Sequence, residues 1–282
     1  MVTTSDSKRV YALKQLGFKE EPFSRSADPR FLYLSPELQN IQRRTQAVVD
    51  RRRALAVIEG DYGMGKSTLA RRMEIMYRSE PDRYDVIFVH SATYNTVYSA
   101  LVDIARRLGL QRRKGVAAQL RELELYFLNQ YEQGRNIVLI FDEAQTLHPD
   151  SLTMIQHFYN FDITEKLVQV LMFGQPEINR VFDERPEIRS RVDSWFRMVP
   201  LDMESTLEMI QFRCTVAGRK DPLLNEDAFI QVWDQTNGVP RSIVDLCSLV
   251  VDQLIEDNIT TFADQNTAQK ALSLYRNKLA AS

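Results

Sequence analysis

Residues 60–67 of this 282-residue sequence are Gly60-Asp61-Tyr62-Gly63-Met64-Gly65-Lys66-Ser67. They form a complete G-x-x-x-x-G-K-[ST] phosphate loop, whose backbone N–H groups close around a polyphosphate at a helix N-terminus. The apolar run at 54–58 predicts a buried strand before the loop, and the run at 68–77 predicts a helix after it. The motif requires this strand–loop–helix context. The sequence therefore predicts that the chain binds a nucleoside triphosphate.

Each position of the loop has an expected role in that binding. Lys66 would reach the β- and γ-phosphates, and the Ser67 hydroxyl would ligate Mg²⁺. We expect the nucleotide to contact the whole loop and the first residue after it: Gly60, Asp61, Tyr62, Gly63, Met64, Gly65, Lys66, Ser67 and Thr68.

A second motif lies about 75 residues downstream, where the apolar run at 137–141 ends in Asp142-Glu143. In a parallel α/β sheet, this places two carboxylates at the carboxyl end of a strand, where ligands bind. Asp142 would hold the Mg²⁺ shell, and Glu143 would orient and deprotonate the attacking water. An isolated Asp-Glu pair is more often a helix cap, but its spacing after a phosphate loop favours catalysis.

The composition is that of an ordinary globular protein, with 44% hydrophobic residues, 26% charged residues and a formal net charge of −2. Any nucleic-acid binding must therefore come from a local basic patch. The N-terminus lacks the apolar core of a signal peptide, and no apolar run is long enough for a membrane span. We expect a cytoplasmic protein without membrane contact, in which Cys214 and Cys247 are reduced core thiols.

Strand-like runs recur at 86–90, 137–141, 167–173 and, more weakly, 196–201, with helical segments between them. This alternation predicts an α/β fold, a parallel sheet covered by helices. After about residue 201 only amphipathic helices are predicted, at 203–217, 225–236, 240–256 and 263–279. We expect an N-terminal extension and linker helix at 1–45, an α/β nucleotide-binding domain at 46–201 and a small helical lid at 202–282.

The order of these elements resembles that of the AAA+ ATPases. The leader segments Leu16-Gly17-Phe18-Lys19-Glu20-Glu21-Pro22-Phe23 and Asp28-Pro29-Arg30-Phe31-Leu32-Tyr33-Leu34-Ser35 are similar to those of the ExeA group. The same holds for Asp142-Glu143-Ala144-Gln145, Phe173-Gly174-Gln175-Pro176-Glu177 and Gly238-Val239-Pro240-Arg241. That group includes secretion-pathway ATPases and transposition ATPases of the TnsC and TniB kind. The resemblance covers nearly the whole chain and implies an AAA+ P-loop NTPase fold, with ATP as the nucleotide.

The resemblance also implies further site residues. Gln175 occupies the sensor position after the fourth strand, where many AAA+ proteins have Asn or Thr. Arg241 matches the lid sensor arginine. An arginine finger, which completes a neighbouring subunit's site and so implies an oligomer, would come from Arg185, Arg189, Arg191 or Arg197. Arg191 is the first candidate and Arg189 the second, although either could be an ordinary surface residue.

Two segments between the second and third predicted strands are candidates for DNA binding. One is the polar loop at 90–96, with Thr93, Tyr94, Asn95 and Thr96, and the other is the basic loop formed by Arg112, Arg113 and Lys114. Cations, hydroxyls and amides can contact a DNA backbone without reading bases. The matching loops of the transposition ATPases line a filament on DNA. The alternatives are a solvated helix face or ion pairs with Glu122 and Glu124 of another subunit.

Three functions remain open at this point. The preferred hypothesis is an ATP-dependent AAA+ regulator of transposition that oligomerises on duplex DNA as a ring or filament. It would recruit a transposase and a target-selection protein, and would disassemble on ATP hydrolysis. The alternatives are an ExeA-like secretion-pathway ATPase and a nucleotide-switch scaffold acting on protein partners. Such a secretion ATPase typically continues into a membrane span and a wall-binding domain, for which we see no counterpart here.

Overall fold

The computed structural model describes residues 4–26, 28–90, 93–161 and 165–280, and in these ranges five parallel strands form one sheet. They are β1 (Leu55–Glu59), β2 (Tyr84–His90), β3 (Asn136–Asp142), β4 (Val168–Gly174) and β5 (Ser194–Arg197). Their order across the sheet is β2-β3-β4-β1-β5, and every neighbouring pair is parallel. Every residue of β1, β3 and β4 is buried, as expected for central strands covered on both faces. The parallel α/β fold is therefore confirmed.

Twelve α-helices occupy the described ranges, and several predicted helices are confirmed almost to the residue. The helices are α1 (Thr4–Gln15), α2 (Pro36–Asp50), α3 (Lys66–Arg78), α4 (Val97–Arg107), α5 (Val116–Glu132), α6 (Thr153–Tyr159), α7 (Ile178–Asp183), α8 (Pro186–Arg189), α9 (Met203–Val216), α10 (Glu226–Thr236), α11 (Pro240–Glu256) and α12 (Gln265–Ala280). None of them is long and apolar enough to cross a bilayer.

The predicted fifth strand at 196–201 is wrong in its bounds, because β5 begins at Ser194 and ends at Arg197. Its register is set by β1, with Ala56 opposite Ser194 and Glu59 opposite Arg197. The last hydrogen bond to β1 follows directly after β5 and joins the Met198 N–H to the Glu59 carbonyl at 2.7 Å. Pro200 then offers no N–H to continue the ladder.

Contacts between Cα atoms divide the chain into two units, which fall differently from the predicted domain boundaries. The sheet unit comprises Pro36–Tyr62 and Lys66–Met198. The lid unit comprises the residues up to Ser35, the loop segment Gly63–Gly65 and the residues from Val199 onward. The N-terminal segment thus belongs with the C-terminal helices, and the boundaries at 45 and 201 remain predictions.

A buried arginine explains why the N-terminal segment belongs to the lid unit. Arg213 of α9 donates hydrogen bonds of 2.9 to 3.1 Å to the carbonyls of Pro22, Ser24 and Phe31. Burial lowers the pKa of its guanidinium to about 10. These bonds satisfy the donors of a charge that would be costly to bury alone, and they fasten the segment to α9. Cys214 and Cys247 are both buried free thiols in this core, as expected.

Candidate nucleotide-binding site

The phosphate loop connects β1 to α3, as the motif predicts. Gly63 and Gly65 have φ angles of 85° and 90°, a region that strongly favours glycine. Helix α3 begins at Lys66, so its first N–H groups follow directly on the loop. The Gly60 N–H donates to the Gly174 carbonyl at the end of β4, at 3.2 Å. The sequence of the loop thus produces a backbone conformation suited to an anion.

Lys66 is buried, and its ammonium lies within the first turn of the loop. Its Nζ donates to the carbonyl of Gly60 at 2.7 Å and to that of Asp61 at 2.9 Å. Desolvation lowers the pKa of Lys66, while the nearby carboxylates of Glu143 and Asp142 act in the opposite direction. A phosphate group would offset the cost of burying this ammonium, because the two opposite charges would pair directly.

Ser67 and Asp142 meet as the two motifs predict. The Ser67 hydroxyl donates to Asp142 Oδ1 at 3.0 Å, and the Asp142 side chain is only 2% exposed. Desolvation raises the pKa of Asp142, and the Ser67 hydrogen bond opposes this rise. A hydroxyl and a carboxylate fit Mg²⁺, which takes a few protein oxygens and completes its shell with substrate phosphates and water. No group of three or more His, Cys, Asp or Glu residues able to hold a metal occurs in the described ranges.

His90, the first residue of the polar loop predicted to bind DNA, is a neighbour of this pair for which no role at the nucleotide site was predicted. Its Nδ1 lies 3.1 Å from Asp142 Oδ2, although the ring is 71% exposed. The register explains this proximity, because His90 ends β2 opposite Asp142 at the end of β3. In the sequence, the only indication that His90 lies near this site is its position as the last residue of the predicted strand at 86–90.

Glu143 has an unusual backbone conformation directly after β3. Its φ and ψ angles are 53° and 40°, the left-handed region, which costs a non-glycine residue about 1–2 kcal/mol. Thr146 stabilises this turn, since its N–H and hydroxyl donate to the Glu143 carbonyl at 2.9 and 2.8 Å. Such strain occurs at functional sites when surrounding contacts maintain it.

Gln145 is the second residue for which no role at the nucleotide site was predicted. Its side-chain amide donates to Glu143 Oε2 at 2.6 Å and accepts from the Gln175 N–H at 3.0 Å. The predicted base and the backbone of the predicted sensor are therefore linked through one side chain. The role of the Gln175 side chain itself remains a prediction.

Arg241, the predicted lid sensor, is the second residue of α11 in the lid unit, which also contains Gly63. The Arg241 N–H donates to the Gly63 carbonyl at 3.1 Å. A Cβ added at Gly63 would lie 2.8 Å from the Arg241 Cβ, closer than side chains approach one another. This loop glycine is therefore required by both its φ angle and its neighbour.

The two finger candidates differ in what their side chains contact within one subunit. The Arg191 guanidinium lies 5.2 Å from the Tyr159 ring centroid, with its Nη1 buried. Arg189 is 41% exposed and bonds Asp183 at 2.8 Å and Asn179 at 3.2 Å. Arg189 is thus more accessible to a neighbouring subunit than Arg191.

The remaining two arginines of that segment also differ in exposure. Arg185 pairs with Asp150 and is 29% exposed on its side chain. Arg197 is 65% exposed, and its Nε lies 4.0 Å from Glu59 Oε1.

Tyr98, in the first turn of α4 just after the polar segment, contacts the basic loop. Its hydroxyl donates to the Arg113 carbonyl at 2.6 Å, and the Arg112 guanidinium carbon lies 5.7 Å from its ring centroid. Gln119, fully buried, accepts from the Arg113 N–H at 2.7 Å and so fixes the basic loop. Arg112 and Lys114 are exposed, whereas Arg113 also pairs with Glu122 at 3.0 Å.

The polar segment before Tyr98 is only partly available as a binding surface. Thr93 and Asn95 are exposed, and Thr96 is also exposed but serves as the N-cap of α4. The Tyr94 hydroxyl donates to Asp103 at 2.5 Å. The preceding Ser91 and Ala92 of the predicted loop lie outside the described residues.

Comparison with known families agrees with this geometry. Residues 49–182 match the family model described as AAA domain, a stretch that contains both motifs. This stretch is an AAA-type P-loop ATPase domain. The chain is also similar, over 237 residues and with 25% identity, to the general secretion pathway protein A of Aeromonas hydrophila. The match covers 82% of this chain but only 42% of that relative.

Solved structures with the same fold extend the likeness beyond the AAA domain. The Aeropyrum pernix Orc2 protein, in ADPNP and ADP complexes, matches with a TM-score of 0.64 and 16% identity over 91% of this chain and 72% of its own. The Aeropyrum pernix Orc1 protein in complex with DNA matches with a TM-score of 0.62 and 16% identity, over 90% and 70%. At this identity the likeness establishes the fold alone. The AAA+ fold inferred from the sequence is confirmed, whereas the narrower resemblance to the TnsC and TniB kind remains a hypothesis.

Proposed function

We propose that this protein is an ATP-hydrolysing AAA+ regulator of DNA transposition, which oligomerises on duplex DNA with ATP and disassembles on hydrolysis. The proposal rests first on the 3.0 Å contact between Ser67 and Asp142, which joins the phosphate loop to the acidic end of β3. These residues, with Lys66 and Glu143, supply the positioning and electrostatic groups that phosphoryl transfer needs.

The hydrolysis step follows from the roles of these side chains. Lys66 would bind the β- and γ-phosphates, and Ser67 and Asp142 would hold Mg²⁺, which neutralises phosphate charge when bound. Glu143 would accept a proton as the water oxygen bonds to the γ-phosphorus and the bond to the bridging oxygen breaks. The products are ADP and inorganic phosphate. Gln175 and Arg241 are proposed to contact the γ-phosphate region.

Assembly would follow from an arginine supplied by a neighbouring subunit. An arginine finger stabilises transition-state charge, and ATP bound at the interface favours association. Its accessibility favours Arg189 over Arg191 for this role. Hydrolysis would remove the phosphate that holds the interface, and the assembly would then dissociate.

Binding to DNA is proposed for the surface formed by Arg112, Lys114 and the polar segment at 93–96. Arg112, Lys114, Thr93 and Asn95 are exposed on this surface. The two cations give it local positive charge in a chain of net charge −2, and its side chains offer donors suited to backbone phosphates. The Orc1 relative in complex with DNA supports the same proposal for this fold. A transposase and a target-selection protein are the proposed partners.

A second candidate function is that of a secretion-pathway ATPase. Similarity to the general secretion pathway protein A over 82% of this chain favours it. Both candidates share the ATPase site and differ in whether DNA is a partner.

Negative-stain microscopy tests the two candidates directly. The protein would be imaged with duplex DNA in the absence of nucleotide, with ADP and with a slowly hydrolysed ATP analogue. Of the three conditions, we expect rings or filaments on DNA only with the ATP analogue. The Lys66→Ala variant should form none, and the Glu143→Gln variant should form assemblies that persist in the presence of ATP. Particles that do not associate with DNA in any of the three conditions would overturn the transposition proposal and favour the secretion-pathway ATPase.

A further inference from the structure

Gln145 makes a bridge between two elements of the candidate catalytic centre. Its Nε2 donates to Glu143 Oε2 at 2.6 Å, and its Oε1 accepts from the Gln175 N–H at 3.0 Å. A primary amide can do both at once, because it carries a donor and an acceptor on one planar group. No carboxylate or hydrocarbon side chain of the same size can make this pair of bonds.

Space for the bridge is provided by a glycine at the end of β4. A Cβ added at Gly174 would lie 3.1 Å from Gln145 Oε1 and 3.0 Å from the Ile178 side chain. The backbone of Gly174 is also bonded, since its carbonyl accepts from the Gly60 N–H of the phosphate loop. The bridge therefore ends on a fixed part of the sheet.

The other end of the bridge fixes a side chain whose backbone is already restrained. Glu143 lies in the left-handed turn maintained by Thr146, and its N–H donates to Asp142 Oδ1 at 3.0 Å. The backbone sets where the side chain starts, but not its rotamer. The Gln145 bond to Oε2 restricts the rotamer through one carboxylate oxygen, and Oε1 is the oxygen that we assign to the water molecule.

We propose that Gln145 is a positioning residue for ATP hydrolysis, which holds the Glu143 carboxylate at a fixed place relative to the end of β4. The inference rests on the proposed function, because it requires Glu143 to act as the base. Gln145 itself touches no reacting atom. Its contribution is to keep the base in reach of the water that attacks the γ-phosphorus, where a displacement of about 1 Å can cost about 100-fold in rate.

Steady-state kinetics of Gln145→Ala and Gln145→Glu test this role. We expect kcat to fall about 10- to 100-fold in both, because neither variant can donate to the Glu143 carboxylate at neutral pH. The KM for ATP and the Kd of a non-hydrolysable analogue should stay within about twofold, since the phosphate loop is unchanged. Gln133→Ala is the matched control, because its amide also bridges two neighbours, Asn129 and Arg135, but at the amino edge of the sheet.

A double variant separates this role from general damage to the fold. If Gln145 acts through Glu143, adding Gln145→Ala to Glu143→Gln should cause little further loss of kcat. An unchanged kcat in Gln145→Ala, with Glu143→Gln slow, would refute the positioning role alone. Equal loss of kcat and analogue affinity would show a structural role instead. A wild-type rate in Glu143→Gln would refute Glu143 as the base and the proposed function with it.

Discussion

Replacing Arg112 and Lys114 together by alanine should flatten the salt dependence of DNA binding. Both side chains are exposed, and the loop that carries them is held by Gln119 and Tyr98, so their removal leaves the backbone in place. Arg113, between them, is already paired with Glu122 at 3.0 Å and should contribute less to phosphate binding.

The size of the effect follows from counterion release. Each phosphate neutralised contributes about 0.9 to the slope of log K against log salt concentration. Two contacts per bound subunit therefore predict a slope smaller by about 1.8. Between 50 and 200 mM salt, this reduces the fall in affinity by about 12-fold. Arg113→Ala alone should change the slope by less than about 0.9.

Fluorescence anisotropy of two unrelated labelled duplexes, with the slowly hydrolysed ATP analogue at a series of salt concentrations, measures these slopes. The loss should be equal for both sequences, because backbone contacts do not read bases. Arg83→Ala is the control, since Arg83 is 62% exposed and ion-paired like Arg113 but precedes the amino end of β2. An unchanged slope in the double variant, or the same change in Arg83→Ala, would refute the assignment of this loop to DNA.

Two further predictions concern stability. Gly238→Ala should lower the unfolding free energy by about 2–4 kcal/mol, because its φ is +71° and a Cβ would lie 1.9 Å from the Leu201 carbonyl oxygen. Gly17→Ala, at φ +83° with no contact under 3.8 Å, should lose only about 1 kcal/mol in thermal unfolding, and equal losses would contradict this account. Asp103 is partly desolvated, but bonds from Tyr94, Arg107 and Arg106 lower its pKa from 3.8 to about 2. The native state therefore binds fewer protons, and the stability from this carboxylate should be lost as pH falls through that window. Asp103→Asn should remove this dependence in acid-unfolding titrations.

Much of the fold could be predicted because its signals are local. The phosphate loop requires a strand before it and a helix after it, and continuous apolar runs indicate strands buried on both faces. The lid helices follow from caps and spacing, and Pro240–Glu256 is found as predicted. The weak fifth strand was misplaced because its bounds depend on pairing with β1, which no local pattern contains.

From the sequence we could predict that Lys66, Ser67, Asp142 and Glu143 belong to one nucleotide site, since parallel strands bring their carboxyl ends to one edge of the sheet. Only the tertiary structure placed His90 beside Asp142 and Gln145 between Glu143 and Gln175. Tyr98 of α4 likewise contacts the basic loop, and Arg213 joins α9 to a segment about 190 residues away. These contacts depend on strand register and side-chain rotamers, which form only when distant parts of the chain pack together.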